Sequence, residues 1–108
     1  LLTWGSSGTG DGQLAYPRDI AIDSSGDLYV TDMYNHQIQK FTGDGTFLTK
    51  WGEFGTGDGQ FNAAQGIAVH SNGDVYVSDQ NNHRVQKFGY LPTPTVPSTW
   101  GAIKALYR

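Results

Sequence analysis

The sequence predicts an all-β fold, and three observations support this. The chain of 108 residues contains fifteen glycines and only 16% charged residues, which favours many tight turns between short strands. Apolar residues alternate with polar ones over short runs such as LYVTD (28–32) and VYVSD (75–79), the period of a half-buried strand. The sequence also repeats itself after 47 residues, so the predicted strands fall into two similar units.

The repeat is long and has no gap. Residues 4–41 and 51–88 are identical at 21 of 38 positions, and the shared segments include the glycine-rich GTGDGQ at 8–13 and 55–60. A period of 40 to 50 residues that contains four short antiparallel strands is typical of one blade of a β-propeller. The sequence therefore predicts two such blades in the chain.

Strands can be placed within each unit from the alternating pattern and the turn residues. The turns SSGD and SNGD place Gly26 and Gly73 where a positive φ is needed. The predicted strands are 19–23, 28–32, 36–41 and 46–51 in the first unit, and 66–70, 75–79 and 83–88 in the second. No fourth strand is predicted directly after Phe88, because three prolines follow and proline lacks the backbone donor that a strand needs.

These assignments divide the chain into two blades over residues 1–90 and a Pro-rich linker with a short tail over 91–108. Within the first part, we expect an orphan outer strand at 1–4, blade one at 5–51, and blade two at 52–90 without its own outer strand. The tail STWGAIKALYR (98–108) fits a short helix with Ser98 or Thr99 as its N-cap, although a disordered tail or an attachment signal fits equally well.

The second unit carries the motifs of a known repeat family. Its segments GIAV (66–69), GDVYVSD (73–79) and NNHRVQKF (81–88) follow a glycine-rich turn, and this run closely resembles the NHL repeat, whose name partly reflects its Asn-His pair. The resemblance covers residues 1–90. Three residues depart from the family pattern: Ala64 stands where a proline is usual, Asp19 where a glycine is usual, and His70 where an aspartate is usual.

Two blades leave two outer faces uncovered, so further blades are needed for stability. Leu1 to Trp4 align with residues 48–51 at the same offset, and we expect them to complete blade two of a neighbouring copy, head to tail. NHL propellers are commonly six-bladed, so the resemblance implies a homotrimer. The competing interpretation is a fragment of a longer propeller, in which the same pairing is intramolecular.

Composition argues against several classes of function. The formal net charge of -3 and the pI near 5.3 provide no positive field for nucleic acid, so no nucleic-acid partner is expected. No apolar run is long enough to span a membrane, and no membrane partner is expected. Resemblance to bacterial repeat sequences favours an extracytoplasmic or secreted setting.

The glycine-rich stretches superficially resemble phosphate-binding loops. Such loops need a helix N-terminus after them, whereas here a strand follows, and a calcium loop needs several oxygen ligands while Asp11 and Asp58 each stand alone. We therefore expect connections between blades, with no metal and no cofactor. No G-x-S-x-G motif and no paired carboxylates are present, so no catalytic residues are predicted and the protein is not expected to be an enzyme.

A recurring Asp-x-x-Asn-His motif follows the second strand of each unit. An aspartate with a histidine can perform acid-base or metal chemistry, but the same residues suit a hairpin, where the carboxylate accepts backbone N–H groups and asparagine tolerates the turn. In the resembling family the motif recurs in every blade whatever the function. We predict structural roles for Asp32, Asn35, His36, Asp79, Asn82 and His83.

One face of the predicted propeller gathers the loops around the mouth of the central channel. Tyrosine, arginine and methionine are enriched at binding surfaces, and Arg18 is the strongest candidate because three copies would form a ring of Arg18 side chains. The predicted binding residues are Tyr16, Arg18, Asp19, Met33, Tyr34, Gln65, Gln80 and Asn81, with Asn62 beside them. We expect a non-catalytic scaffold for protein or peptide partners; the alternative is a propeller that binds a small ligand in its channel or acts as a metal-dependent lyase.

Overall fold

A computed structural model describes residues 1–90 and 103–106, and these residues form short β-strands and one 3₁₀ turn at Gln80–Asn82. The strands are β1 (Ser6–Ser7), β2 (Gln13–Leu14), β3 (Pro17–Ile22), β4 (Leu28–Asp32), β5 (Gln37–Phe41), β6 (Phe47–Trp51), β7 (Ala64–Val69), β8 (Val75–Asp79), β9 (Arg84–Tyr90) and β10 (Ile103–Leu106).

The strands form two antiparallel sheets of the same order. The first sheet runs β3-β4-β5-β6 and the second runs β7-β8-β9-β10, while β1 and β2 make a small parallel pair in the first glycine-rich stretch. The prediction of an all-β repeat protein is confirmed. Strands β4 and β8 have the predicted bounds, but the inner strands β3 and β7 begin two residues early, because a β-bulge after Pro17 and after Ala64 lets pairing continue.

The structure differs from two expectations about the ends of the chain. Residues 1–4 form no strand, and Ile103–Leu106 pairs with β9 as the fourth strand of the second sheet. The segment IKAL contains no proline, so every residue in it has a backbone donor for the pairing. Ile103–Leu106 is therefore a strand where a helix was considered, and the predicted caps Ser98 and Thr99 lie outside the described residues.

The apolar core lies between the two sheets. Strands β3 and β4 pack against β7, and the central aromatic residue is Trp51, whose ring is 6.3 Å from Tyr29 in the first sheet and 5.4 Å from Phe88 in the second. The buried cluster comprises Tyr29, Ile38, Trp51, Phe61, Ala64, Ile67, Val75, Val77 and Phe88, with Ala21 and Val69 packed against it. One face of each sheet thus contributes to the shared core.

The turn between the first two strands has the same backbone in both repeats despite the substitution at His70. In the first repeat, the Ser25 N–H donates to Oδ1 of Asp23 at 2.9 Å. In the second repeat, the Asn72 N–H donates to Nδ1 of His70 at 3.1 Å. An imidazole nitrogen therefore replaces a carboxylate oxygen as the acceptor, which explains how this departure from the family pattern is accommodated.

The junction between the sheets leaves no room for a side chain at Gly52. A Cβ there would lie 2.8 Å from the carbonyl oxygen of His36 and 2.8 Å from the Phe61 ring. Gly5, its counterpart in the first repeat, has the same φ of 106° but would meet only Leu14, at 3.7 Å.

We predict that Gly52→Ala lowers the free energy of unfolding by about 2 to 4 kcal/mol, since the clash adds to the backbone strain. Gly5→Ala is the matched control and costs about 1 kcal/mol for the φ alone. Urea unfolding followed by tryptophan fluorescence measures both, and equal losses would contradict the steric argument.

Candidate interaction rim

The rim is the end of the two sheets at which β3 and β7 begin and at which β4 and β8 turn into the next strand. In the first repeat it carries an aromatic pair: the rings of Tyr16 and Tyr34 lie 4.8 Å apart at 50°, and both are substantially exposed. The Met33 N–H donates to the carbonyl oxygen of Tyr16 at 2.9 Å. This hydrogen bond fixes the two loops that present the tyrosines.

Polar side chains connect the rims of the two repeats. Nε of Arg18 donates to Oε1 of Gln65 at 2.9 Å, and Gln65 occupies the position of Arg18 in the second repeat. Beside them, Nδ2 of Asn81 donates to Oδ1 of Asn62 at 3.2 Å, and Gln80 is exposed. The structure thus brings the predicted loop residues of both repeats to one end of the molecule.

The carboxylate of Asp19 ties the two sheets together. One oxygen, Oδ1, accepts the N–H of Ile20 at 2.9 Å, and the other, Oδ2, accepts the N–H of Ile67 in the second sheet at 3.0 Å. The Thr31 hydroxyl adds a parallel link, because it donates to the carbonyl oxygen of Gln65 at 2.8 Å. A binding role for Asp19 stays a prediction, but both of its oxygens already accept internal hydrogen bonds.

The aspartate and asparagine of the Asp-x-x-Asn-His motif hold loops in place. Asp32 is fully buried, and its carboxylate accepts the N–H groups of Ala15 and Tyr16, each at 2.9 Å. Nδ2 of Asn35 bridges this carboxylate and the carbonyl oxygen of Gly8, again at 2.9 Å. In the second repeat, the buried Asp79 accepts the Asn62 N–H, and Nδ2 of Asn82 bridges Asp79 and the carbonyl oxygen of Gly55, while the Ala63 N–H has a different acceptor.

The two histidines of the motif share a left-handed backbone but differ in their surroundings. His36 and His83 have φ of 53° and 54°. Nδ1 of His36 accepts the N–H of Ala63 from the second repeat at 3.0 Å, and its ring packs on Phe54 at 5.0 Å. His83, at the same position one repeat later, is exposed. His36 is therefore an acceptor in the contact between the sheets.

Glutamine side chains hold the glycine-rich stretches. Oε1 of Gln13 accepts the Gly10 N–H at 3.0 Å, and Oε1 of Gln39 accepts the Gly12 N–H at 2.9 Å. The second repeat uses Gln60 and Gln86 in the same way. No role was predicted for these four glutamines, although each pair is identical in the two repeats and this was a usable signal. The N–H groups of Gly10, Gly12, Gly57 and Gly59 are therefore engaged within the protein.

Within residues 1–90 and 103–106, an arginine holds the second glycine-rich loop but not the first. Arg84 donates through Nε to Oδ2 of Asp79 at 2.9 Å, and through its terminal nitrogens to three loop carbonyl oxygens, those of Thr56, Gly57 and Gln60, at 2.8 to 2.9 Å. The first repeat has Gln37 at this position. There Lys50 contacts the loop instead, with Nζ 3.0 Å from Oδ1 of Asp11.

We predict that Arg84→Gln lowers the free energy of unfolding by about 2 to 3 kcal/mol, because it removes charge-assisted hydrogen bonds and leaves the buried Asp79 without its cation. Arg18→Gln, on the exposed rim, is the control and changes stability by about 0.5 kcal/mol or less. Chemical denaturation measures both variants. Equal effects would show that the loop contacts of Arg84 contribute nothing.

A polar cavity of about 270 Å³ lies near the turns of both repeats. Nζ of Lys40 is 3.9 Å from Asp23 and 3.7 Å from Asp27, and it lies 5.1 Å from the centre of the Tyr29 ring. Burial raises the pKa of Tyr29 above its ordinary value. For Lys40, burial lowers the pKa, but the Tyr29 hydroxyl and the two carboxylates raise it by more, so its pKa is also raised.

These two shifts predict a loss of stability at alkaline pH. The folded state holds both protons more tightly than the unfolded chain, so their contribution is complete below about pH 10 and is lost as pH rises through the raised folded pKa values. We expect the melting temperature of Tyr29→Phe to fall less steeply than that of the unmodified protein as the pH rises above about 10. Tyr34→Phe, an exposed control, should keep the original slope; a Tyr29→Phe slope equal to it would contradict the prediction.

Residues 1–90 and 103–106, the described part of the chain, contain neither a metal-binding cluster nor a membrane-spanning helix. Within these residues, no group of three or more His, Cys, Asp or Glu side chains is placed to hold a metal ion. In the same part of the chain, no helix is both long and apolar enough to cross a membrane.

Two repeated four-stranded antiparallel sheets around a shared core define a propeller-like repeat protein. Residues 14–41 and 61–88, which are 56 of the 108 residues, match the NHL repeat, and the chain belongs to the NHL-repeat family. It is also 42% identical over 50 residues to Protein lin-41 of Caenorhabditis elegans, a match that covers 46% of this chain and only 4% of that protein. Together the repeats and this similarity indicate a protein-interaction repeat domain.

Proposed function

We propose that the protein is a non-catalytic interaction scaffold whose rim binds a protein or peptide partner. The observation that carries this proposal is the exposed group of Tyr16, Arg18 and Tyr34 on the first repeat. Neither Tyr16 nor Tyr34 belongs to the buried core cluster. Membership of a family of interaction repeats supports the same conclusion.

The chemistry of the rim indicates what such a partner presents. Tyrosine offers a large, rigid contact area at a low cost in conformational entropy, and a guanidinium binds a carboxylate through paired hydrogen bonds. The second repeat has Ala63, Gln65 and Asn81 at the positions of Tyr16, Arg18 and Tyr34. The contact is therefore centred on the first repeat and suits a partner with an apolar side chain close to a carboxylate.

The scaffold includes closure into a six-bladed propeller by three copies, as the family resemblance implies. Exchange of residues 1–4 between copies is not part of the proposal, because β10 already pairs with the edge of β9 that those residues were expected to take. Closure through the faces of the sheets remains available. Three chains of 11.8 kDa give an assembly of about 35 kDa.

The rim proposal can be tested with peptides selected from a phage-displayed random library on the immobilised protein. We expect Arg18→Ala and Tyr34→Ala each to weaken binding of the selected peptides at least ten-fold in calorimetric titration, because each removes a central contact. Ser71→Ala, in the turn before β8, is the control and should bind normally. Unchanged affinity in both rim variants would refute the assignment of the rim.

A further inference from the structure

Each sheet has an outer face that the other sheet does not cover. The leading face belongs to the first sheet and carries Ile20 and Ile22; the trailing face belongs to the second sheet and carries Tyr76 and Val85. Alternation along the strands places all four residues outside the shared core. Tyr76 and Val85 occupy the positions in the second sheet that the buried Tyr29 and Ile38 occupy in the first.

Equivalent positions are buried in one repeat and exposed in the other. Ile20 is 53% exposed, whereas Ile67, at the same position in the second repeat, is 8% exposed. Val85 is 66% exposed, whereas its counterpart Ile38 is fully buried. What covers Ile67 and Ile38 is the contact between the two sheets of the chain. Ile20 and Val85 therefore have the side chains for the same contact but lack the neighbouring sheet.

The counterparts of the core residues are apolar throughout. Each of the nine clustered residues, and each of the two packed against them, has a counterpart 47 positions away. These counterparts lie on or beneath the outer faces. The counterparts are Tyr76, Val85 and Ala68 on the second sheet, and Trp4, Leu14, Pro17, Ile20, Ile22, Leu28, Val30 and Phe41 in the first repeat. Leu28, Val30 and Phe41 are already buried. The exposed apolar surface of the leading face is therefore concentrated at Ile20 and Ile22.

The hydroxyl groups of the two faces match as well. Oγ1 of Thr31 accepts the Asp19 N–H at 3.0 Å and donates across to the carbonyl oxygen of Gln65 at 2.8 Å. Oγ of Ser78 makes the equivalent contact within its own sheet, with the Gly66 N–H at 2.7 Å. Against a second leading face, the Ser78 hydroxyl would meet the carbonyl oxygen of Arg18.

Gly66 lacks the carboxylate of its counterpart Asp19, but this difference does not leave a polar group unpaired. In the chain, Asp19 accepts the Ile67 N–H across the sheets, and Gly66 has no side chain to do the same for Ile20 of another copy. However, Asp19 already accepts the Ile20 N–H of its own strand. The Asp19 carboxylate thus accepts an N–H group from the inner strand of each repeat. A second copy can therefore bind the chain without loss of a hydrogen bond at Ile20.

We propose that the trailing face of one chain binds the leading face of a second copy, through the contacts that join the two sheets within the chain. Such a head-to-tail contact uses two different surfaces, so it forms a ring when the rotation closes. A propeller of four to eight blades corresponds to two to four copies.

This inference deepens the proposed closure and completes the rim. Within the chain Arg18 reaches Gln65, so across the new contact Gln65 of one copy lies beside Arg18 of the next. The channel mouth would then alternate guanidinium and amide groups, and each arginine would have a glutamine on both sides. The partner copy therefore contributes a residue to the binding rim.

The test uses two variants that each disable one face. Ile20→Asp removes the leading face and Val85→Asp removes the trailing face; both sites are exposed, so circular dichroism should show folded protein. Light scattering after size exclusion should show multimers of the unmodified chain. Each variant should self-associate at least ten-fold more weakly, because burying a lone carboxylate is costly. Mixing the variants should restore one intact contact and give a heterodimer of about 24 kDa, twice 11.8 kDa. Ser24→Asp, in an exposed turn, is the control and should assemble like the unmodified chain.

Three results would overturn the inference: a monomeric unmodified chain, a single variant that still assembles, which indicates contact between like faces, or a mixture that does not pair. If either aspartate variant is unfolded, Ile20→Ser and Val85→Ser replace the pair. An unmodified assembly of two or four chains with successful pairing supports the contact while refuting the six-bladed closure. Loss of peptide binding in Arg18→Ala is independent of both results, because that variant leaves the two apolar faces intact.

Discussion

The structure depends on a core that lies between sheets and not within one. A four-stranded sheet has two faces, and the residues that cover one face of the second sheet come from the first. The shared core is centred on Trp51, at the end of the last strand of the first sheet and in ring contact with both sheets. Folding of either repeat is thus tied to its neighbour.

Polar side chains make this arrangement compatible with loops that are rich in glycine. Gln13 and Gln39 accept loop N–H groups in the first repeat, and buried Asp32 accepts those of the residues that lead into β3. The backbone donors that would serve a phosphate are therefore used to hold the loops. The proposed binding role is therefore assigned to the rim, where Tyr16 and Tyr34 are exposed.

The sequence predicted most of the fold because the ungapped repeat showed which residues are equivalent. Strands β4 and β8 were placed to the residue, whereas the early start of β3 at Pro17 was missed because a bulge interrupts the alternating pattern. The fourth strand of the second sheet was missed because similarity ends at Phe88, and IKAL is too short to distinguish helix from strand. The tie from Asp19 to Ile67 spans 48 positions, and no local pattern shows such a contact.

The few differences between the repeats give the chain a direction. Two similar units risk pairing with each other's strands during folding, a known source of misassembly in repeat proteins. Asp19 and Arg84 have no equals at Gly66 and Gln37, so only the native order places a carboxylate beside the Ile67 N–H and a guanidinium on the second loop. These differences between the repeats thus distinguish the first repeat from the second, which disfavours such mispairing.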